Sequence, residues 1–476
     1  MSFIGLDLGT SSLKAILIDD AQTVLAESSV PLTVERPHHG WSEQDPAQWI
    51  DAVGIAIKAL GDVSDVRGIG LSGHMHGATL LDASDNVLRP CILWNDTRSA
   101  KEAAAMDADP QFRGLSGNIV FPGFTAPKVA WVKAHEPEIF ARIAKVLLPK
   151  DYLRLYLIGD HVAEMSDAAG TSWLDVAKRD WSDDLLAATG LTRNHMPRLV
   201  EGSEASGTLR DTLAQDWGLP KGVIVAGGGG DNAASAIGAG VVAKGDAFVS
   251  LGTSGVLFAA SDAYQPDAAS AVHTFCHALP DTWHQMGVIL AATDALQWLA
   301  GLTGKTAGDL TADLGPLQAP SRTLFLPYLG GERTPHNDAT MRGQFLHLDH
   351  STDVAQATRA VLEGVAFAFG DCHAALKSTG TVIDQALAMG GGAKSDYWLS
   401  AIATTLNIPL HVPTAGDFGA ALGAARLGIM AATDSGLGIA SKPAIAKSIE
   451  PDLSHVAAFA DTQARYRAAY TKLKDL

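Results

Sequence analysis

The segment VIVAGGGGDNAASAIGAG places Asp231 directly after four glycines and ahead of small residues that read as a helix. A strand end, a glycine loop and then a carboxylate is where α/β folds put working groups, because loops at strand C-termini are open to ligands. Two readings fit and are compatible. One is an aspartate capping the helix N-terminus. The other is a general base that takes a proton from a hydroxyl, with the glycines letting a substrate approach the backbone. A second carboxylate, Asp7, closes the strand FIGLDLG just before a Leu-Gly-Thr-Ser turn. There Gly9 lets the chain turn tightly, and Thr10, Ser11 and Ser12 can offer N–H groups and hydroxyls to phosphate oxygens. The same turn recurs in AFVSLGTSGVLFAAS at Gly252, Thr253 and Ser254, where Ser250 stands in place of Asp7. Only the first copy can bring a carboxylate to a metal ion.

Two further groups of residues could bind a ligand. In GLSGHMHGATLL a strand ends at Gly73 and is followed by His74, Met75 and His76. Histidines at i and i+2 can hold a metal, but no third ligand is close in sequence, and hydrogen bonding is the competing role. In CILWNDTRSA, Trp94, Asn95, Asp96 and Arg98 lie at another strand end. They form either a polar cluster that reads hydroxyls beside an aromatic face or a solvated loop.

The elements that carry these residues read as α/β. FIGLDLG, LKAILID and VLAESSVPL form a meander, PAQWIDAVGIAIKAL shows helical periodicity, VRGIGLSG is a strand, a strand pair surrounds the Asp85-Asn86 turn, and helices cover 99 to 145. The second half restarts at GDAFVSLGTSGVLFAA, passes polar segments between His273 and His284, and shows a long amphipathic helix from Asp353 to about Leu376. Next, ALAMGGG, SDYWLSAIATTL and IPLHVP read as strand, helix and strand. The two Leu-Gly-Thr-Ser hairpins lie ~240 residues apart, which suits two related domains better than a solenoid repeat. Two domains, a cleft between them and a nucleotide clamped by both hairpins are expected.

Composition narrows the partners. A chain of 476 residues that is 47% hydrophobic supports two cores. A formal net charge of −17 argues against nucleic acid and anionic membranes and for small-molecule partners. Cys91, Cys276 and Cys372 are widely spaced and read as packed thiols in a reducing compartment. The chain begins in a strand and holds no run near the ~18 apolar residues of a membrane span, so a cytoplasmic protein is expected.

GFTAPKVAW from Gly123 to Trp131 and ALAMGGGAKSDYWLSAIATTL resemble the two signatures of the FGGY family of carbohydrate kinases. WSEQDP at 41, LPKDYLRL at 148, SDAAGTSWLD at 166, LPYLGGERTPH at 326 and ALGAARLG at 421 are similar to segments of its xylulokinase branch. The resemblance implies two ribonuclease-H-like (actin-type) domains related by duplication, residues 1–240 and 241–476, closing on ATP. It implies Mg2+ as cofactor and phosphorylation of D-xylulose to D-xylulose 5-phosphate, with ribulose or a pentitol as alternative acceptors. An actin-like ATPase without a small substrate is the rival from another class, and monomer and homodimer are both left open. By the resemblance Asp231 is the proton acceptor, Asp7 lies near magnesium, and Met75 and His76 form part of the sugar site; Trp94 and Asn232 are expected to contact the sugar with them. Thr10, Ser11, Ser12 and Lys14 belong to the first phosphate loop, Gly252 and Thr253 to the second, and Gly391, Gly392 and Asp396 to the adenosine pocket. Sugar contacts then fall mainly in the first half. The absence of an Arg-Glu pair at Met75 and His76 argues against glycerol. His74 departs from the Gln found in xylulokinases and would alter the pocket edge.

Overall fold

A computed structural model describes residues 1–414 and 419–475. Two seven-stranded mixed sheets are built from the two halves. The first contains β1 (Ser2–Leu8), β2 (Ser12–Asp19), β3 (Val24–Pro31), β4 (Val66–Gly73), β5 (Ala205–Thr208) and β6 (Ile224–Ala226), in the order β5-β6-β4-β1-β2-β3, with Gly229–Gly230 also pairing β4. The second contains β7 (Ala247–Leu251), β8 (Gly255–Ser261), β9 (His273–Cys276), β10 (Trp283–Ile289), β11 (Ala386–Met389), β12 (Leu410–Pro413) and β13 (Ile445–Ile449). Its order is β9-β10-β8-β7-β11-β12-β13. In each sheet a hairpin strand, β1 or β7, pairs antiparallel with its successor on one side and parallel with a later strand on the other. The duplication therefore extends from the Leu-Gly-Thr-Ser turn to the topology, giving two actin-like domains.

The helices follow the apolar periodicity. α1 (Ala47–Lys58) buries Trp49, Val53 and Ile57, and α2 (Asp231–Ala239) buries its small residues. The long α3 (Val354–Ser378) begins after Asp353, whose carboxylate accepts the Gln356 N–H at 2.8 Å as an N-cap. α4 (Asp396–Leu406) joins β11 to β12. Cys91, Cys276 and Cys372 are all buried free thiols. Among the described residues no helix is long and apolar enough to cross a membrane.

One helix crosses between the halves. α5 (Ala420–Thr433) belongs to the second half by sequence but packs on β1 and β4 of the first sheet and along α2. ALGAARLG is small because backbones meet there: a Cβ on Gly70 would fall 1.6 Å from the Ala424 carbonyl oxygen, and one on Gly423 would fall 1.7 Å from that of Ala234. Side-chain rotation cannot relieve either clash. Gly423→Ala is expected to destabilise the protein by roughly 3 kcal/mol, the upper part of the overpacking range. Thermal or urea unfolding would check this, and a wild-type midpoint would show that α5 can lift away without cost.

Candidate active site

Three chain segments leave adjacent strands of the first sheet at the same level. β1 runs parallel to β4, with Asp7 opposite Ser72 and Leu8 opposite Gly73, while on the other side of β4 Gly229 lies opposite Ser72 and Gly230 opposite Gly73. Asp7, the His74–His76 turn and Asp231 therefore gather at strand C-terminal ends, with β1 and Gly229–Gly230 about 10 Å apart across β4. On β2, Lys14 is the register partner of Asp7, so the two side chains share one face of the sheet. Lys14 also lies 3.7 Å from Glu27.

Asp231 is the first residue of α2, and Gly230 holds the N-cap position. Its Oδ1 accepts the Asn232 backbone N–H at 2.7 Å and the Asn232 side-chain amide at 3.0 Å, so its carboxylate is not a conventional helix cap. Burial first, and the Asp7 carboxylate second, push the Asp231 carboxyl up to about 6. It is thus a stronger base than a solvated aspartate and still ionised at neutral pH. The glycines before it are needed for packing. Gly228 has φ +77°, and a Cβ there would fall 2.1 Å from the Leu71 carbonyl oxygen, while one on Gly230 would fall 2.9 Å from Met75 Cγ. The close approach expected of a substrate is made by the neighbouring strand end.

His74 and His76 do not share a face, because His76 takes φ +71° and breaks the strand alternation. His74 is buried, its ring edge-on to Trp49 at 5.9 Å, so it belongs to the core and not to a pocket edge. The half-buried His76 stacks on Phe124 at 4.6 Å, and its Nδ1 lies 2.8 Å from the Gly170 carbonyl oxygen. Burial and then the Lys128 charge hold this imidazole down to about 3, so it is neutral. Nδ1–H donates to Gly170, which leaves Nε2 as an acceptor. Thr125 Oγ1 at 3.1 Å and Lys128 Nζ at 2.8 Å both donate to the His76 carbonyl and hold the left-handed turn. Both lie in GFTAPKVAW, yet their position inside a helix gave no hint of this contact. Burial pulls the Lys128 ammonium down to about 7.

The wall around His76 is shared by both halves. Phe275 lies 6.3 Å from the His76 ring, and His273 packs 5.9 Å from Phe124. The Arg333 guanidinium sits 4.4 Å over Phe121 with Nη1 3.4 Å from His273 Nε2. Sequence reasoning that assigned this region mainly to the first half missed these groups. They lie on separate strands and loops of the second half, and LPYLGGERTPH and the polar segments between His273 and His284 were the signals that pointed there.

Trp94 is exposed and its indole donates to Thr10 Oγ1 at 3.0 Å, placing it beside the first Leu-Gly-Thr-Ser turn. Asp96 and Arg98 turn inward, pairing at 2.6 Å with Arg98 3.6 Å over Trp41, so these two do not read hydroxyls, while Asn95 stays exposed with Trp94. The carbonyls of the first turn are tied back, Thr10 by Gln44 Nε2 at 2.7 Å and Ser11 by Leu32 N–H at 2.8 Å. In the second turn Gly252 O accepts from Thr293 N–H at 2.9 Å and Thr253 O from Ala292 N–H at 2.8 Å. Occupied carbonyl lone pairs no longer oppose an anion. Ser11, Thr253 and Ser254 are exposed, whereas Thr10 and Ser12 are half-buried. After β11, a Cβ on Gly391 would meet open space, whereas one on Gly392 would press on Leu251 and Trp398. Asp396 opens α4 and pairs with Lys447.

The sequence model for the FGGY family of carbohydrate kinases, N-terminal domain, matches residues 2–238, and that for its C-terminal domain matches residues 247–432. The chain belongs to the FGGY family of carbohydrate kinases. A xylulose kinase of Escherichia coli (strain K12) is 48% identical over 100% of this chain and 99% of its own length. A crystal structure described as a xyloylose kinase from Brucella ovis is 60% identical with a TM-score of 0.98, covering 99% of both chains. The xylulose kinase structure from Rhodospirillum rubrum is 31% identical with a TM-score of 0.93, covering 99% of both. In this FGGY chain the segments resembling the first and second signatures lie, respectively, under His76 and at the glycine turn after β11.

Proposed function

We propose that this carbohydrate kinase transfers the γ-phosphoryl group of ATP to the terminal hydroxyl of D-xylulose, giving D-xylulose 5-phosphate in the cytoplasm. The observation that carries the reading is the gathering of Asp7, the His74–His76 turn and Asp231 at strand C-terminal ends of one sheet, with the Asp231 carboxyl raised by burial. The full-length likeness to a xylulose kinase supports the choice of sugar. Phosphoryl transfer through a loose transition state depends on alignment and charge neutralisation. Asp231 orients the attacking hydroxyl and takes its proton as the O–P bond forms. His76 Nε2 accepts a second sugar hydroxyl, Met75 packs beneath it, and Asn232 steadies the Asp231 carboxylate. Thr10, Ser11, Ser12 and Lys14 grip phosphate from residues 1–240, and Gly252 and Thr253 grip it from 241–476. Gly391, Gly392 and Asp396 border the adenosine.

Asp7 and the hard oxygen chemistry of this edge fit Mg2+, which when bound would neutralise phosphate charge. Among the described residues no three carboxylate, histidine or cysteine groups gather closely enough to hold a metal alone, so phosphate oxygens and water would supply its other ligands.

A coupled ADP-release screen over pentuloses, hexuloses and polyols tests the function. Fastest turnover with D-xylulose is expected. A preference for ribulose or a pentitol would reassign the acceptor, and sugar-independent turnover would favour an ATPase. Light scattering during size exclusion distinguishes a monomer from a homodimer. His76→Ala is expected to raise KM for xylulose about 5-fold to 150-fold, the equivalent of one buried hydrogen bond at ~1–3 kcal/mol, with KM for ATP nearly unchanged. Equal changes in both constants would mean that His76 supports the fold and not the sugar.

A further inference from the structure

Five charged side chains, Lys150, Asp151, Arg154, Glu164 and Asp167, lie together with no solvent exposure beneath the glycine loop that precedes Asp231. Lys150 Nζ stands 2.8 Å from Asp151, 3.4 Å from Glu164 and 3.4 Å from Asp167. Arg154 donates to Asp151 at 2.7 Å, to the Val162 carbonyl at 2.6 Å and to the Gly227 carbonyl. Burying this many charges has a large desolvation cost, so the arrangement calls for a role beyond stability.

The cluster grips the loop at both ends. Arg154 holds the Gly227 carbonyl, and Ser166 Oγ accepts the Gly230 N–H at 3.0 Å, one residue before Asp231. The Ser166 hydroxyl in turn donates to Glu164 Oε2 at 2.8 Å, so its single hydrogen is spoken for and its lone pair is directed at Gly230. Glu164 is fixed as well: Oε2 accepts the Ser166 N–H at 2.7 Å and Oε1 accepts the Asp167 N–H at 2.9 Å, capping the turn Met165–Ala168 that carries Ser166. Burial pushes the Asp167 carboxyl well above the usual range, against the opposing pull of the Lys150 ammonium. Each hydrogen bond in the chain from Glu164 through Ser166 to Gly230 thus has a defined direction, with the Lys150 ammonium paired to Glu164 at its far end.

We infer that Ser166, oriented by Glu164 and Lys150, is a positioning residue that sets the carboxylate of Asp231 against the sugar hydroxyl through the Gly230 amide. The inference rests on the reading of Asp231 as the base. The hydrogen bonds of the Ser166 side chain go to Glu164 and Gly230 and not to Met75, His76 or Asn232, so its loss should act on the chemical step and leave sugar binding alone. Misplacement of a reacting group by a fraction of an ångström to 1 Å lowers rates by about 10-fold to 100-fold.

The experiment compares Ser166→Ala, Asp231→Asn and the double variant by steady-state kinetics with xylulose and ATP. Expected are a kcat for Ser166→Ala lower by ~10-fold to 100-fold, with KM for xylulose within about threefold, and less than about threefold further loss when the change is added to Asp231→Asn. Wild-type turnover in Asp231→Asn removes the base reading itself. If Asp231→Asn is slow but Ser166→Ala keeps its kcat, or if the two losses multiply in full, the positioning role is overturned and the base reading stands. Ser166→Cys, nearly the same shape with a weak acceptor, is the second variant should alanine prevent folding. It is expected to show the same split to a smaller extent, and an unchanged kcat overturns the inference. Residue-resolved hydrogen exchange on the unmodified protein needs no variant: slow exchange of the Gly230 amide is expected, and exchange at the open-chain rate overturns the bond.

Discussion

Asp231→Asn is expected to lower turnover about 10²-fold to 10⁴-fold while sugar affinity stays within about tenfold, because an amide still hydrogen-bonds but takes no proton. The geometry sharpens this expectation. Asp231 already uses Oδ1 to accept from Asn232, so the other oxygen is the one available to a hydroxyl. Burial and Asp7 raise the carboxyl to about 6, and a base must be deprotonated to work. The kcat/KM for sugar should therefore rise as pH increases through about 6 and level off above it. The asparagine variant should lose that limb along with its rate. Tryptophan fluorescence titration with xylulose would report affinity independently of turnover, and wild-type-like turnover in Asp231→Asn would remove the aspartate from the mechanism.

Asp7→Ala is expected to cost about 10²-fold or more in kcat, with added magnesium restoring only part, since a carboxylate anchor for a hard cation at the transferring phosphate contributes several kcal/mol. A second readout follows from the sheet register. Asp7 leaves β1 at the level at which Gly229–Gly230 leads into Asp231, and its negative charge is one of the two causes that raise the Asp231 carboxyl. Removing that charge should move the acidic limb of the pH profile below about 6, in the direction of the free aspartate value. Magnesium titrations at several ATP concentrations, together with the pH profile, check both effects. Normal magnesium dependence in Asp7→Ala would make Asp7 a structural residue of the hairpin.

The sequence by itself determined what depends on neighbours along the chain. Apolar alternation in FIGLDLG and AFVSL, and the two Leu-Gly-Thr-Ser turns, dictate β1, β2, β7 and β8 and disclose the duplication, because strand pairing across a tight turn is local. The helical period in the segment from Asp353 to about Leu376 foretold α3, and the glycine run marked the loop that ends at Asp231.

Only the tertiary structure decided which of these residues meet. His74 and His76 look equivalent in GHMHG, yet a single left-handed φ at His76 sends one ring to the core and the other to the site. Asp96 and Arg98 read as a hydroxyl-binding cluster or a solvated loop until Trp41 and Glu43 cover them. Arg333 and His273 complete the His76 wall from the other half, α5 crosses to the first sheet through glycines, and Ser166 reaches the Gly230 amide from 64 positions away. The physical reason is common to all of these. Periodicity and turn chemistry act within a few residues, whereas hydrogen-bond partners and close backbone approaches between distant segments are selected by how the packed layers fit.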